Sequence, residues 1–192
     1  MYILFEGIDT CGKSTQIELL QREFDSAVTT KEPGGTPFGI KAREILLEAK
    51  LSKRAELLLF LSDRAEHYSK VVKPHRDRLI LSDRGFLSGI GYALANGDFE
   101  FEELVRLNRF ALEDSMPQRV VLFMTDRATL LDRMDTKELD GIELRGVEYL
   151  LLVQEKMRES LKRLDIPYLI VDARDDIESI TKTLIEYIEE AL

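Results

Sequence analysis

A three-layer α/β fold with a mostly parallel sheet is what this sequence predicts, on three observations. Short continuous apolar runs recur along the chain, helical apolar patterns lie between them, and no repeat, low-complexity tract or linker breaks the alternation. With 192 residues, 44% of them hydrophobic and 33% charged, the chain can bury one core and coat it. One domain spanning 1–192 is therefore expected, and the apolar content excludes an intrinsically disordered chain.

The strongest strand signals are Tyr2–Glu6 (YILFE), Arg78–Ser82 (RLILS) and Arg119–Met124 (RVVLFM). Ala27–Thr30 and Tyr168–Asp172 (YLIVD) are weaker. These runs are continuous rather than alternating, which suits strands covered on both faces. Helical spacing follows in Ser14–Phe24, in Leu57, Leu61, Ala65, Tyr68 and Val72, and in Leu150, Val153, Met157, Leu161 and Leu164. Ile177, Ile180, Leu184 and Ile188 repeat the pattern near the C-terminus, with Asp175 the expected N-cap. Asp135–Gly146 (DTKELDGIELRG) is charged, carries two glycines and sits between helical patterns, so it is the expected mobile flap.

Lys and Arg number 27 against 36 Asp and Glu, a formal charge of −9. That balance argues against a general nucleic-acid binder, which needs an excess of cations over its footprint. A small phosphorylated ligand needs only a local cluster and stays open. The single cysteine, Cys11, cannot form an internal disulfide, which points to a reducing compartment. The N-terminus has no basic leader, and no apolar run approaches the roughly 20 residues that span a bilayer. The expectation is a soluble cytoplasmic protein without a membrane partner.

Gly7-Ile8-Asp9-Thr10-Cys11-Gly12-Lys13-Ser14 fits G-x-x-x-x-G-K-[ST], the phosphate-binding P-loop. It follows the first strand directly and opens a helical run, as the motif requires. The glycines let the backbone wrap a phosphate chain with N–H groups turned inward, and the helix N-terminus adds partial positive charge. Lys13 would reach the β- and γ-phosphates, and the Ser14 hydroxyl would bind Mg²⁺. No Asn-Lys-x-Asp guanine-reading motif and no G-x-G-x-x-G fingerprint occur.

Asp83-Arg84 ends a strand, where α/β proteins place their ligands. The acid could hold Mg²⁺ through water, and the arginine fork could bind two phosphates at once. In the following run Gly85, Gly89 and Gly91 each cost about 1 kcal/mol relative to alanine in a helix. Either something approaches the backbone closely there, or the helix start is loose. Phe60 and Arg64 share a helix face and could stack on a base and bond its edge; an aromatic at that spacing equally suits the core. Ser88 and Tyr92 form a second such pair. Glu32-Pro33-Gly34-Gly35-Thr36 reads as a turn, and Arg43 by itself reads as a surface charge.

Together these segments resemble the thymidylate kinase (dTMP kinase) family. The resemblance runs in order through FEGIDTCGKST, KEPGGTPFG, LLFLSDRAEHYSKVVKP, LSDRGFLSGIGYALANG and YLIVDAR. It implies a five-stranded P-loop NTPase-type sheet with a flap, and phosphoryl transfer from MgATP to dTMP. Gly7 through Thr15 would bind ATP. Phe60 would stack on thymine and Arg64 bond its edge. Asp9 would hold the deoxyribose 3′-hydroxyl, and Arg43 and Arg84 the dTMP phosphate. Tyr92 would pack by the sugar and Ser88 lie close to the base. Ser14 and Asp83 would place Mg²⁺. Thr10 stands where some members carry a P-loop arginine, which implies a cation from the flap region: Arg133 first, then Lys137 or Arg145. The chain departs from the family pattern at Gly85, Gly89, Met124 and Cys11. A homodimer is implied as well. The rival readings are a kinase for another nucleoside monophosphate and a non-catalytic nucleotide-binding regulator.

Overall fold

A computed structural model describes residues 1–134 and 146–192. Five parallel strands form one sheet in the order β2-β3-β1-β4-β5, from β1 (Tyr2–Glu6), β2 (Val28–Lys31), β3 (Ile80–Asp83), β4 (Arg119–Met124) and β5 (Tyr168–Asp172). The three strongest strand signals are the three central strands. Every residue of β1 is buried, whereas edge strands β2 and β5 are half-covered and correspondingly less apolar.

Alternation along the central strands sorts side chains into two layers. Tyr2, Leu4, Ile80, Val120 and Leu122 join the core under α3 (Lys53–His67), α4 (Phe86–Asn96), α5 (Phe101–Ala111) and α7 (Val147–Leu161). Ile3, Phe5, Leu81, Val121 and Phe123 join the core under α1 (Lys13–Glu23) and α8 (Ile177–Glu189). α2 (Pro37–Glu48) packs on α3, and α6 (Arg127–Met134) on α7. No described helix is long and apolar enough to cross a membrane.

Three local readings are refined. The α8 cap is Asp176, whose side chain accepts from the Ser179 N–H, rather than Asp175. The apolar pattern through Val72 is α-helical only to His67; it widens into a π-turn at Tyr68–Val72 and tightens to a 3₁₀ turn at Lys73–His75, which contains Pro74. The third strand extends to Asp83. The expected flap lies outside the described residues apart from Gly146.

Gly85, the N-cap of α4, and the two glycines within the helix have close neighbours, which settles the choice left by the sequence. A Cβ at Gly85 would lie 2.8 Å from Leu4 Cδ1, and one at Gly91 would lie 2.7 Å from Met157 Cγ on α7. At Gly89 the neighbour is Arg64, whose Nη1 would be 3.2 Å away. The strand, the facing helix and a cation each need the room.

Candidate active site

The ends of β1, β2 and β3 carry the polar groups. β1 runs into the P-loop, where Gly7 has φ +146° and Gly12 has φ +87°, backbone regions that L side chains avoid. Space forbids a side chain at Gly7 too, because its Cβ would meet Phe123 O at 2.8 Å and Cys11 Sγ at 2.9 Å. Thr10, at φ +64°, completes the turn. Lys13 is 5% exposed. Its ammonium folds into the loop and donates to Ile8 O (2.8 Å) and Gly7 O (3.2 Å). The Cys11 thiol is buried and donates to Ile8 O at 3.0 Å. Ser14 and Thr15, opening α1, stay exposed.

At the end of β3, Ser14 Oγ donates to Asp83 Oδ2 at 2.8 Å. Asp83 Oδ1 is buried and has no hydrogen-bond partner among the described residues. Among the described residues no group of three His, Cys, Asp or Glu could hold a metal alone. A hydroxyl and a carboxylate with an unused oxygen suit a hard cation that takes its other ligands from phosphate and water.

Arg84 has φ +69°, a strained region for a residue with a side chain. Its N–H is held by Phe5 O at 2.9 Å. That turn sends the guanidinium across the P-loop, where it donates to Asp9 Oδ1 (2.8 Å), Gly7 O (2.5 Å) and Ser88 Oγ (3.1 Å). Burial opposes its charge, but Asp9, Tyr92 and Asp83 outweigh burial and hold its pKa above the usual value. Ser88 in turn donates to Glu6 Oε2, and Glu6 Oε1 accepts from the Leu87 N–H at 3.1 Å. Glu6 therefore caps α4, whose Gly85 has no side chain to do so. Burial pushes the Glu6 carboxyl up, against the pull of Ser88 and Arg84.

An open cleft of about 540 Å³ lies beside this seam, lined by Asp9, Arg43, Phe60, Arg64, Arg84, Ser88 and Tyr92 among others. These seven are the residues expected at an acceptor site, gathered from the P-loop, α2, α3, the turn after β3, and α4. Arg64 is 2% exposed, with Nε donating to Glu32 Oε2 (2.9 Å), Nη1 to Asn108 Oδ1 (2.6 Å) and Nη2 to Gly85 O (2.8 Å). His67 Nδ1 donates to the other Glu32 oxygen at 2.8 Å, and His67 Nε2 lies 2.6 Å from Thr30 Oγ1. Burial would raise Glu32, but Arg64 and His67 prevail and hold its carboxyl below the usual range. A second cleft of about 540 Å³ opens on the α8 side of the P-loop, lined by Thr10, Gly12, Thr15, Arg133 and Asp175 among others. There Arg133 donates to Thr10 O (2.9 Å) and Ala173 O (2.8 Å), tying the P-loop to the turn after β5. Lys137 and Arg145 lie outside the described residues.

Glu6, His67 and Asn108 stand behind the cleft, bonded to Ser88, Glu32 and Arg64 that line it, and the motifs did not name them. Glu6 had a signal: an acid at the end of an apolar strand, in step with Leu4 and so facing α4. Asn108 stands at a buried position of α5, where it interrupts the apolar stripe.

Asp63, one turn before His67, is 1% exposed, and neither carboxylate oxygen makes a full hydrogen bond to a described residue. Burial first, and then the Glu32 carboxylate, raise it from 3.8 to about 6. Between those values the folded protein keeps a proton that the unfolded chain releases, so stability falls as pH rises through the window. Asp63→Asn should therefore gain on the wild type as pH rises from about 4 to about 7, by about 2 kcal/mol or several degrees in Tm. Parallel Tm-versus-pH curves for the two proteins would rule out this source of pH dependence.

A family model described as Thymidylate kinase matches residues 5–184. The chain is 65% identical over 190 residues to a thymidylate kinase of Sulfurovum sp. (strain NBC37-1), covering 98% of this chain and 100% of that protein. It is 50% identical over 193 residues to a thymidylate kinase of Campylobacter curvus (strain 525.92), at 98% and 100% coverage. With a thymidylate kinase of Sulfurimonas denitrificans it shares 48% identity over 189 residues, at 98% and 99% coverage.

Proposed function

The chain belongs to the thymidylate kinase family, and from that premise we propose that it transfers the γ-phosphoryl group of ATP to the 5′-phosphate of dTMP, giving ADP and dTDP. The observation that carries this reading is the shared wall between cradle and cleft. Asp9 and Arg84 belong to the acceptor cleft and are bonded to each other across the P-loop. A phosphate bound at Arg84 would therefore lie next to one bound in the loop.

The chemistry asks for positioning and charge stabilisation more than for covalent help, because phosphoryl transfer has a loose transition state. The acceptor is already a phosphate dianion near neutral pH, so no strong base is needed. The obstacle is repulsion between two phosphate groups brought into line, which Lys13, Arg43 and Arg84 offset. Lys13 would leave the Gly7 and Ile8 carbonyls for the β- and γ-phosphates. Phe60 would stack on thymine, and Arg64 would bond its edge. Asp9 would take the 3′-hydroxyl, Tyr92 would pack by the sugar, and Ser88 would lie near the base. Ser14 and Asp83 fit Mg²⁺, which when bound would neutralise charge on the β- and γ-phosphate oxygens. Arg133 borders the donor cleft, and Lys137 and Arg145 remain as alternative flap cations. Closure of a flap at 135–146 over the site would exclude water and suppress hydrolysis of ATP.

Residues 1–192 are read as one catalytic domain, in keeping with the single sheet. The single cysteine and the −9 charge support a cytoplasmic enzyme without a nucleic-acid partner. A homodimer is part of the same reading. Leu58 on α3 is 59% exposed and Phe110 on neighbouring α5 is 85% exposed, apolar surface that a second copy could cover. A one-chain mass in sedimentation would remove the dimer.

An ADP-release assay with MgATP and dTMP, dUMP, dGMP, dCMP and AMP tests the function. Strong preference for dTMP is expected. Preference for another monophosphate would keep the cradle and overturn the assignment of the base, and ATP binding without turnover on any of them would favour a regulator.

A further inference from the structure

Arg64 borders the acceptor cleft as a buried cation, and three acceptors surround it. Glu32 balances its charge; Gly85 O and Asn108 Oδ1 are neutral and act on its orientation. Asn108 is fully buried and is not among the residues that line the cleft. Its own amide is locked, because Nδ2 donates to Leu104 O at 2.7 Å one turn back on α5. Oδ1 is thereby left facing Arg64 Nη1 at 2.6 Å, the only arrangement in which a guanidinium can donate to that amide. On another side the guanidinium lies against the bare backbone of Gly89, where a Cβ would stand 3.2 Å from Nη1 and 3.4 Å from Nη2. Among the described residues three of its five N–H groups are engaged, which leaves two for a ligand.

We infer that Asn108 is a positioning residue that fixes the Arg64 guanidinium against Gly89, so that its remaining N–H groups favour a pyrimidine with a carbonyl edge over one with an amino edge. The inference rests on the acceptor-site reading above. The physical reason is that a planar cation held at three points cannot turn its plane. A donor held in place selects an acceptor such as a 4-carbonyl and opposes a second donor such as a 4-amino group. Without the Asn108 acceptor, Nη1 is released and the guanidinium can pivot about its bonds to Glu32 and Gly85. The cleft then tolerates cytosine better and thymine worse.

Titration calorimetry with dTMP and with dCMP tests this without requiring turnover. Asn108→Leu keeps the volume and removes the acceptor; it should weaken dTMP binding about tenfold and narrow the dTMP:dCMP ratio of Kd values by a similar factor. In steady state KM for dTMP should rise about tenfold, with kcat and KM for ATP within about twofold. Asn108→Asp restores an acceptor and should recover most of the ratio. Gly89→Ala presses on the same guanidinium from its other side and should narrow the ratio as well, which decides the matter if Asn108→Leu does not fold. An unchanged ratio in a folded Asn108→Leu protein, or in Gly89→Ala when that is the one that folds, overturns the inference. So does a loss spread equally over dTMP and ATP, which marks a merely structural role. Selective dTMP binding by a wild type that turns over no monophosphate would sink the kinase reading and leave this inference standing, provided the variants behave as stated. A wild type that binds neither pyrimidine nucleotide would sink both.

Discussion

Lys13→Ala is expected to lower kcat by about 10³-fold, at the upper end of what removal of one preorganised charge or donor costs a transition state. Lys13 is the cation built into the cradle itself, and its ammonium is held 2.8 Å from Ile8 O and 3.2 Å from Gly7 O. Two carbonyls hold it desolvated beside the place where phosphates would lie, and its ammonium would exchange those oxygens for phosphate oxygens when they arrive. Arginine would not substitute well, because the fork is too wide for a loop in which Lys13 is 5% exposed. The measurement is kcat at saturating ATP and dTMP, with Tm recorded to show that the variant is folded. Turnover within tenfold of the wild type would break the assignment of the cradle.

Arg84→Ala carries the second large effect, an expected loss on the order of 10³ in kcat/KM for dTMP. One planar fork reaches Asp9, Gly7 O and Ser88, and the strained backbone at φ +69° exists to aim it. Its removal would also take the ion pair from Asp9 and loosen the link from Ser88 to Glu6. Arg84→Lys should recover little, because a single ammonium cannot bridge those partners and a phosphate in one plane. The kinetic signature distinguishes this effect from unfolding: kcat/KM for dTMP falls far more than Tm does. An Arg84→Lys enzyme close to wild type would show that charge alone is needed and that the fork is not.

The strands were legible to the degree that they are buried. Tyr2–Glu6 and Arg119–Met124 are central and covered on both faces, so their composition announces them. β2 and β5 lie at the edges, half-covered, and their signals are weaker for that reason. α5 escaped the reading because its buried stripe of Phe101, Leu104 and Ala111 is broken by Asn108. A polar residue placed for Arg64 costs the helix its clean apolar pattern. The α8 cap could not be chosen from sequence because Asp175 and Asp176 are both competent, and only the path of the chain brings Asp176 to the Ser179 N–H.

By itself the sequence determined the parallel α/β layering, the P-loop with Lys13 and Ser14, the acid–arginine pair at a strand end and the pairing of Phe60 with Arg64. All of these are encoded at short range: strand composition, motif spacing and helical period need no knowledge of distant residues. Tertiary structure alone decided the strand order, which glycine of α4 faces Leu4, Arg64 or α7, and the company that each charge keeps. Arg64 meets Glu32, Asn108 and Gly85 from 32, 44 and 21 residues away. Arg84 meets Asp9 from 75. Such pairs leave no periodic trace, because the packing of strands and helices, and not their local pattern, brings a buried cation to the oxygens that can hold it.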